Sequence, residues 1–246
     1  MVTRTATPGI TVWPPHKTKV RRAVEELVRR FGRAASDEFG LRIDVASPIP
    51  EGKGLASSSA DIVAACRAVS DYFGEPLTDH EIGEIACGIE PSDAVMFDHP
   101  VVFEFMAGQV LRDPGRRFPI LAVAVDTGGS VDTQSFRRRP YTEDERAILL
   151  RAYHLAVNGL ETGRISDVGA AATLSARVNQ ARHFKPHLET LIELCAAYGG
   201  VGVSVAHSGT IVAMLFEVQR SNAARAAALA ALECLPGADV SILGGR

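Results

Sequence analysis

Apolar residues recur at two distinct periods along this chain. Over residues 17–31, Val20, Ala23, Val24, Leu27, Val28 and Phe31 fall mostly three and four apart, with Gly32 just beyond. That spacing predicts an amphipathic helix ended by a glycine. Residues 9–13 and 41–46 read instead as short strands, the first stopped by Pro14-Pro15. A second helix is predicted over 58–73, closed by Gly74, and a third from Thr78 to about residue 87. Thr78 and Glu81 have the spacing of a capping box, in which each side chain satisfies the other's backbone amide. Residues 101–105 and 109–111 read as a hairpin around Ala107-Gly108.

A charged, glycine-containing loop at 112–117 marks a candidate domain boundary. Past it, the apolar run 120–126 is expected to be a buried strand. Helices are predicted at 143–157, 165–178 and 186–198, strands at 202–206 and 210–216, an alanine-rich helix at 220–235 and a last strand at 239–243. This mixture predicts an α+β chain. The longest apolar stretch, 201–216, is interrupted by Ser204, His207, Ser208 and Gly209, so it is not expected to span a bilayer. Residues 1–15 carry no basic segment followed by an apolar signal core.

Composition narrows the partners. Of 246 residues, 46% are hydrophobic and 22% charged, enough to build a sizeable core. Lys plus Arg is 26 against 29 for Asp plus Glu, a net charge of −3. That balance argues against a broad basic face for duplex nucleic acid, though not against a local pocket for a phosphate ligand. Cys66, Cys87, Cys195 and Cys234 form no CxxC pair and sit in apolar, helix-like contexts, so four reduced, buried thiols are expected. Together these features predict a cytoplasmic protein with neither a nucleic-acid nor a membrane partner.

The chemistry concentrates in Pro50-Glu51-Gly52-Lys53-Gly54-Leu55-Ala56-Ser57-Ser58-Ser59-Ala60-Asp61, between a predicted strand and a predicted helix. Gly52 and Gly54 permit positive φ and close approach of backbone to a ligand. Ser57, Ser58 and Ser59 fall at the cap and first turn, where free amides and the helix dipole favour an anion. The plainer alternative is a Gly/Ser loop with Ser57 as an ordinary N-cap. The segment contains neither GK[ST] nor GxGxxG.

Its pattern, P-x-x-x-G-L-x-S-S, resembles the second motif of the GHMP kinases. Two later stretches agree in the right order. Glu90-Pro91-Ser92-Asp93-Ala94-Val95-Met96-Phe97 resembles the turn that delivers the family's catalytic aspartate. Val203-Ser204-Val205-Ala206-His207-Ser208-Gly209-Thr210 resembles the third motif, a small-residue turn between strands. Within the superfamily the residues are most similar to the L-threonine kinases of cobalamin side-chain synthesis, with Thr133-Gln134 and Thr173-Leu174-Ser175-Ala176 as further agreement. The family begins with another motif, which in those kinases resembles Pro-x-Ser-Cys-Gly-Glu; no such run precedes Gly9.

The resemblance implies a GHMP kinase fold, with a ribosomal protein S5 domain 2-like N-terminal part and a ferredoxin-like C-terminal part. It implies an ATP-binding domain at 1–116, truncated at its start, and a C-terminal domain at 117–246. ATP and Mg2+ are the implied cofactors, and a small hydroxylated amino acid is the implied partner. Pro50, Gly52, Lys53, Gly54, Leu55, Ala56, Ser57, Ser58 and Ser59 would bind the nucleotide, and Ser58 and Glu90 the metal. Asp93 would be the catalytic carboxylate, and His207, Ser208 and Gly209 would face the acceptor. The acceptor is read as L-threonine. Homoserine or another small alcohol, or a nucleotide-binding paralogue without catalysis, remain the alternatives.

Each assignment has a plainer counterpart. Lys53 has the alternative of facing solvent, Asp93 of capping its turn, and Glu90 of being a solvated acid at a helix end. His207 and Ser208 are adjacent and no GxSxG elbow occurs, which argues against a hydrolase. His183 and His187 are four apart, a spacing for a metal pair, but Pro186 lies between them. Arg137-Arg138-Arg139 reads as a solvated loop, with a contact to nucleotide or substrate anion as the alternative.

Overall fold

The computed structural model describes residues 1–32, 40–129, 140–206 and 209–244. They divide into two compact units, residues 1–50 with 56–113, and residues 51–55 with 114–246.

In the first unit, strands β1 (Val2–Thr5), β2 (Gly9–Trp13) and β3 (Gly40–Asp44) form one sheet in the order β1-β3-β2. β2 runs parallel to β3, as a crossover through helix α1 (Thr18–Arg30) requires. Helices α2 (Ser57–Phe73) and α3 (Asp79–Ile89) follow, then a hairpin of β4 (Val102–Glu104) and β5 (Gln109–Arg112). The apolar stripe of α1, Val20, Val24 and Leu27, packs into one core with Leu41 and Ile43 of β3 and Ile62, Cys66 and Val69 of α2. The Thr78 capping box forms as expected. The Glu81 amide donates to Thr78 Oγ1 at 3.2 Å, and the Thr78 amide to Glu81 Oε2 at 2.8 Å.

Strand β1 was not predicted. Its four residues, Val-Thr-Arg-Thr, carry no apolar run. A distant partner creates it: Val2 lies opposite Ile43 and Arg4 opposite Leu41, antiparallel.

The second unit contains β6 (Ile120–Asp126), α4 (Glu143–Thr162), α5 (Ile165–Asn179), α6 (Leu188–Ala197), β7 (Gly202–Val205), β8 (Ile211–Glu217), α7 (Ser221–Cys234) and β9 (Asp239–Gly244). The sheet order is β7-β8-β6-β9, with every pairing antiparallel. That is a ferredoxin-like βαββαβ arrangement with extra helices in the first crossover. Strands β6 and β8 are buried over most of their length, and α6 and α7 complete the core through Leu188, Leu191, Ala224, Ala227 and Ala231. Helix α4 runs five residues past its predicted end at 157. Asn158-Gly159 breaks the apolar pattern, yet a Cβ at Gly159 would press on Val168 and the Arg164 carbonyl. The glycine is therefore an approach point for α5 rather than a stop.

Cys66, Cys87 and Cys195 are buried as expected, but Cys234 is exposed. It ends α7, and the neighbouring Leu235 takes the buried position instead. No helix of the described residues is long and apolar enough to cross a membrane.

Candidate active site

The loop entering α2 has an unusual backbone. φ is positive at Gly52 (74°), Gly54 (82°) and Ala56 (54°), and negative at Lys53 and Leu55 between them. Alternation of this kind turns successive amides toward one side, a concavity that accommodates an anion. Ala56 is the N-cap of α2 and makes no side-chain capping bond, which displaces the expected cap at Ser57. Ser57 is instead the first helical residue, and it and Ser59 are buried. Among the described residues nothing accepts a hydrogen bond from the amides of residues 52–59. A left-handed alanine costs of order 1–3 kcal/mol, strain that collects at functional sites.

Ser58 Oγ donates to Glu90 Oε1, and Lys19 Nζ donates to Glu90 Oε2 at 2.5 Å. Glu90 is the C-cap of α3 and precedes Pro91, which stops the helix there. The plain solvated-acid alternative for Glu90 therefore does not hold. Ser58 and Glu90 together present hard oxygen donors, the kind Mg2+ takes. Lys17 Nζ and Asp61 Oδ2 form a 2.5 Å ion pair, 12% and 6% exposed, joining the start of α1 to α2.

The turn after Glu90 is held by Ser92. Its amide donates to the Phe105 carbonyl at 3.1 Å and its hydroxyl to the Glu90 carbonyl at 3.1 Å. Asp93 does not cap this turn. Its residue is exposed, and among the described residues its carboxylate accepts no hydrogen bond.

In the second unit Lys53 does not simply face solvent. Its Nζ sits 2.7 Å from Asp126 Oδ2 and donates to the Gly129 carbonyl at 2.8 Å. Asp126, the last residue of β6, also accepts from Thr210 Oγ1 at 2.6 Å and the Gly128 amide at 3.0 Å. Burial pushes the Asp126 carboxyl up, but the bonds from Lys53, Thr210 and Gly128 outweigh it and hold the group below its ordinary value of 3.8. Asp126→Asn is expected to cost about 2 kcal/mol at pH 7, the loss of hydrogen bonds to a charged acceptor. The unfolded chain takes up the proton first as pH falls. The contribution is therefore full above about pH 4 and lost as pH drops through the lowered folded value. Urea midpoints of parent and variant should converge there.

Gly209 has φ +138°, and a Cβ on it would collide with the Lys53–Gly54 peptide. Its carbonyl accepts from His183 Nε2 at 2.7 Å and from Lys185 Nζ. His183 is thus spent on a backbone oxygen while His187 is the left-handed, exposed cap of α6, so they form no metal pair. Among the described residues no group of three His, Cys, Asp or Glu could hold a metal. His207 and Ser208, Thr133-Gln134 and Arg137-Arg138-Arg139 lie outside the described residues.

Lys17, Lys19, Asp126, His183 and Lys185 were not anticipated at these positions. Asp61 had a signal as the last residue of the glycine-serine segment, and His183 had one for a different role, a metal pair with His187.

Residues 18–101 match the GHMP kinases N terminal domain and residues 156–234 the GHMP kinases C terminal domain. The chain belongs to the GHMP kinases. It is 30% identical over 228 residues to the L-threonine kinase of Salmonella typhimurium, covering 89% of this chain and 75% of that protein. The homoserine kinase of Deinococcus radiodurans is 26% identical, over 83% of this chain and 68% of that protein. The fold superposes on the crystal structure of homoserine kinase from Cytophaga hutchinsonii with a TM-score of 0.79 at 15% identity, covering 100% of this chain and 85% of that one.

Proposed function

We propose that this chain is an ATP-dependent kinase that phosphorylates the hydroxyl of L-threonine, giving O-phospho-L-threonine for cobalamin side-chain synthesis. The observation that carries the reading is the alternating loop at 52–56, whose amides and those of Ser57–Ser59 are uncommitted among the described residues. The 30% identity to an L-threonine kinase supports the acceptor. Ser58, Glu90 and Asp93 all being present supports catalysis over mere nucleotide binding.

In this reading the threonine oxygen attacks the γ-phosphorus in line, the bond from that phosphorus to the β-γ bridging oxygen breaks, and ADP leaves. The loop amides bind the β- and γ-phosphates and gain as charge spreads over the transferring oxygens. Ser58 and Glu90 would hold Mg2+, which would neutralise phosphate charge. Lys19 keeps the Glu90 carboxylate aimed at Ser58. A carboxylate is too weak a base to strip an alcohol in the ground state, so Asp93 orients the hydroxyl and accepts its proton late, as the new P–O bond forms. Gly209 backs the loop. The halves 1–116 and 117–246 act as nucleotide-binding and C-terminal domains of a cytoplasmic enzyme.

The likeness to homoserine kinases supports homoserine as the second acceptor. ADP release should be measured with threonine, serine, homoserine and mevalonate. The highest kcat/KM is expected with threonine. Homoserine outrunning it would overturn the acceptor, and no ADP with any of the four would overturn the kinase.

A further inference from the structure

Lys185 is the largest fully buried side chain among the described residues, 2% exposed, and it is a cation. Its ammonium donates to the Gly209 carbonyl, and among the described residues no carboxylate lies within ion-pair reach. Burial pushes it down to about 8, which still leaves it protonated at neutral pH. Such a group is costly: an ammonium taken out of water is repaid only by well-placed partners. One backbone oxygen, already bonded to His183, is a poor repayment.

The surroundings are nonetheless built to hold it. Gln180, just after α5, clamps the Lys185 backbone from both sides. Its Oε1 accepts from the Lys185 amide at 2.6 Å, and its Nε2 donates to the Lys185 carbonyl at 3.0 Å. The oxygen that Lys185 grips belongs to Gly209, which abuts the Lys53–Gly54 peptide. Lys53 itself is neutralised by Asp126. The fixed, unneutralised charge behind the loop is therefore Lys185, not Lys53.

Resting on the kinase reading, we infer that Lys185 is a positioning residue for nucleotide binding: it pins Gly209 against the 52–54 loop and places one buried positive charge behind the seat of the phosphates. It touches neither substrate. Its favourable electrostatic counterpart arrives only with the polyphosphate, so the fold bears the cost of the charge until then.

The test sets two signs against each other. Lys185→Met keeps the side chain's length and removes the charge, and Gly209 retains its bond from His183. The free variant is expected to melt at or above the parent temperature, because a buried unmatched charge has gone. Its KM for ATP should rise roughly tenfold or more, the scale of one fixed charge at an effective dielectric of about 20. The KM for the acceptor should move less than about twofold. Melting shifts with saturating ATP give the same comparison without turnover. A variant that fails to fold, or melts lower with an unchanged ATP KM, would show Lys185 to be structural and overturn the inference. A parent that neither consumes ATP nor is stabilised by it would overturn the kinase reading itself.

Discussion

Asp93→Asn is expected to lower kcat by about 10² to 10⁴ while leaving ATP affinity where it was. The geometry separates the two quantities. The Asp93 carboxylate is exposed and accepts no hydrogen bond among the described residues, so its removal breaks nothing that holds the fold. The turn that presents it depends on the Ser92 amide and hydroxyl, which the substitution leaves intact. Asparagine matches the shape but cannot take the proton that the acceptor hydroxyl gives up. Melting temperature and ATP binding by calorimetry should therefore equal the parent's, with ADP release all but abolished. Turnover at the parent rate would remove Asp93 from the mechanism.

Helices α1, α2, α3, α5 and α7 were legible because their evidence is local. Caps, stops and a 3.6-residue period lie within a few residues of one another, as the Thr78 box and Gly74 illustrate. β1 was not, because Val-Thr-Arg-Thr, though rich in β-branched residues, is only four residues with one apolar side chain until β3 lies beside it. The site divides along the same line. The loop 52–59 could be read because glycine, serine and spacing are contiguous. The side chains that steady it could not, since each meets its partner across a long stretch of chain: Lys19 and Glu90, Lys53 and Asp126, Lys185 and Gly209. Asp126 looked like the polar end of a buried strand, which is what most such residues are. The N-cap alternative for Ser57 fails for a related reason: an alanine at an N-cap in left-handed conformation contradicts local preference. Local preference fails here at the point where the backbone is bent to free its amides.

Gly209→Ala is expected to lower turnover as well as stability. Two costs coincide. Positive φ at +138° strains any residue with a Cβ, by of order 1–3 kcal/mol. The added carbon would also overlap the carbonyl of Lys53 and the amide nitrogen of Gly54, which are backbone and cannot rotate aside. The 52–54 loop must shift, and displacing a positioning element by about 1 Å can cost on the order of 10² in rate. The expected result is a fall of about 10² in kcat/KM for ATP, measured well below the melting temperature. Gly237→Ala separates the two costs. Gly237 also has positive φ (89°), yet nothing lies within 4 Å of the position its Cβ would take. That variant bears the strain without the collision, so it should lose stability and keep its ATP kinetics. Equal losses of kcat/KM in both variants would mean that strain alone accounts for the effect, and that Gly209 does not set the loop.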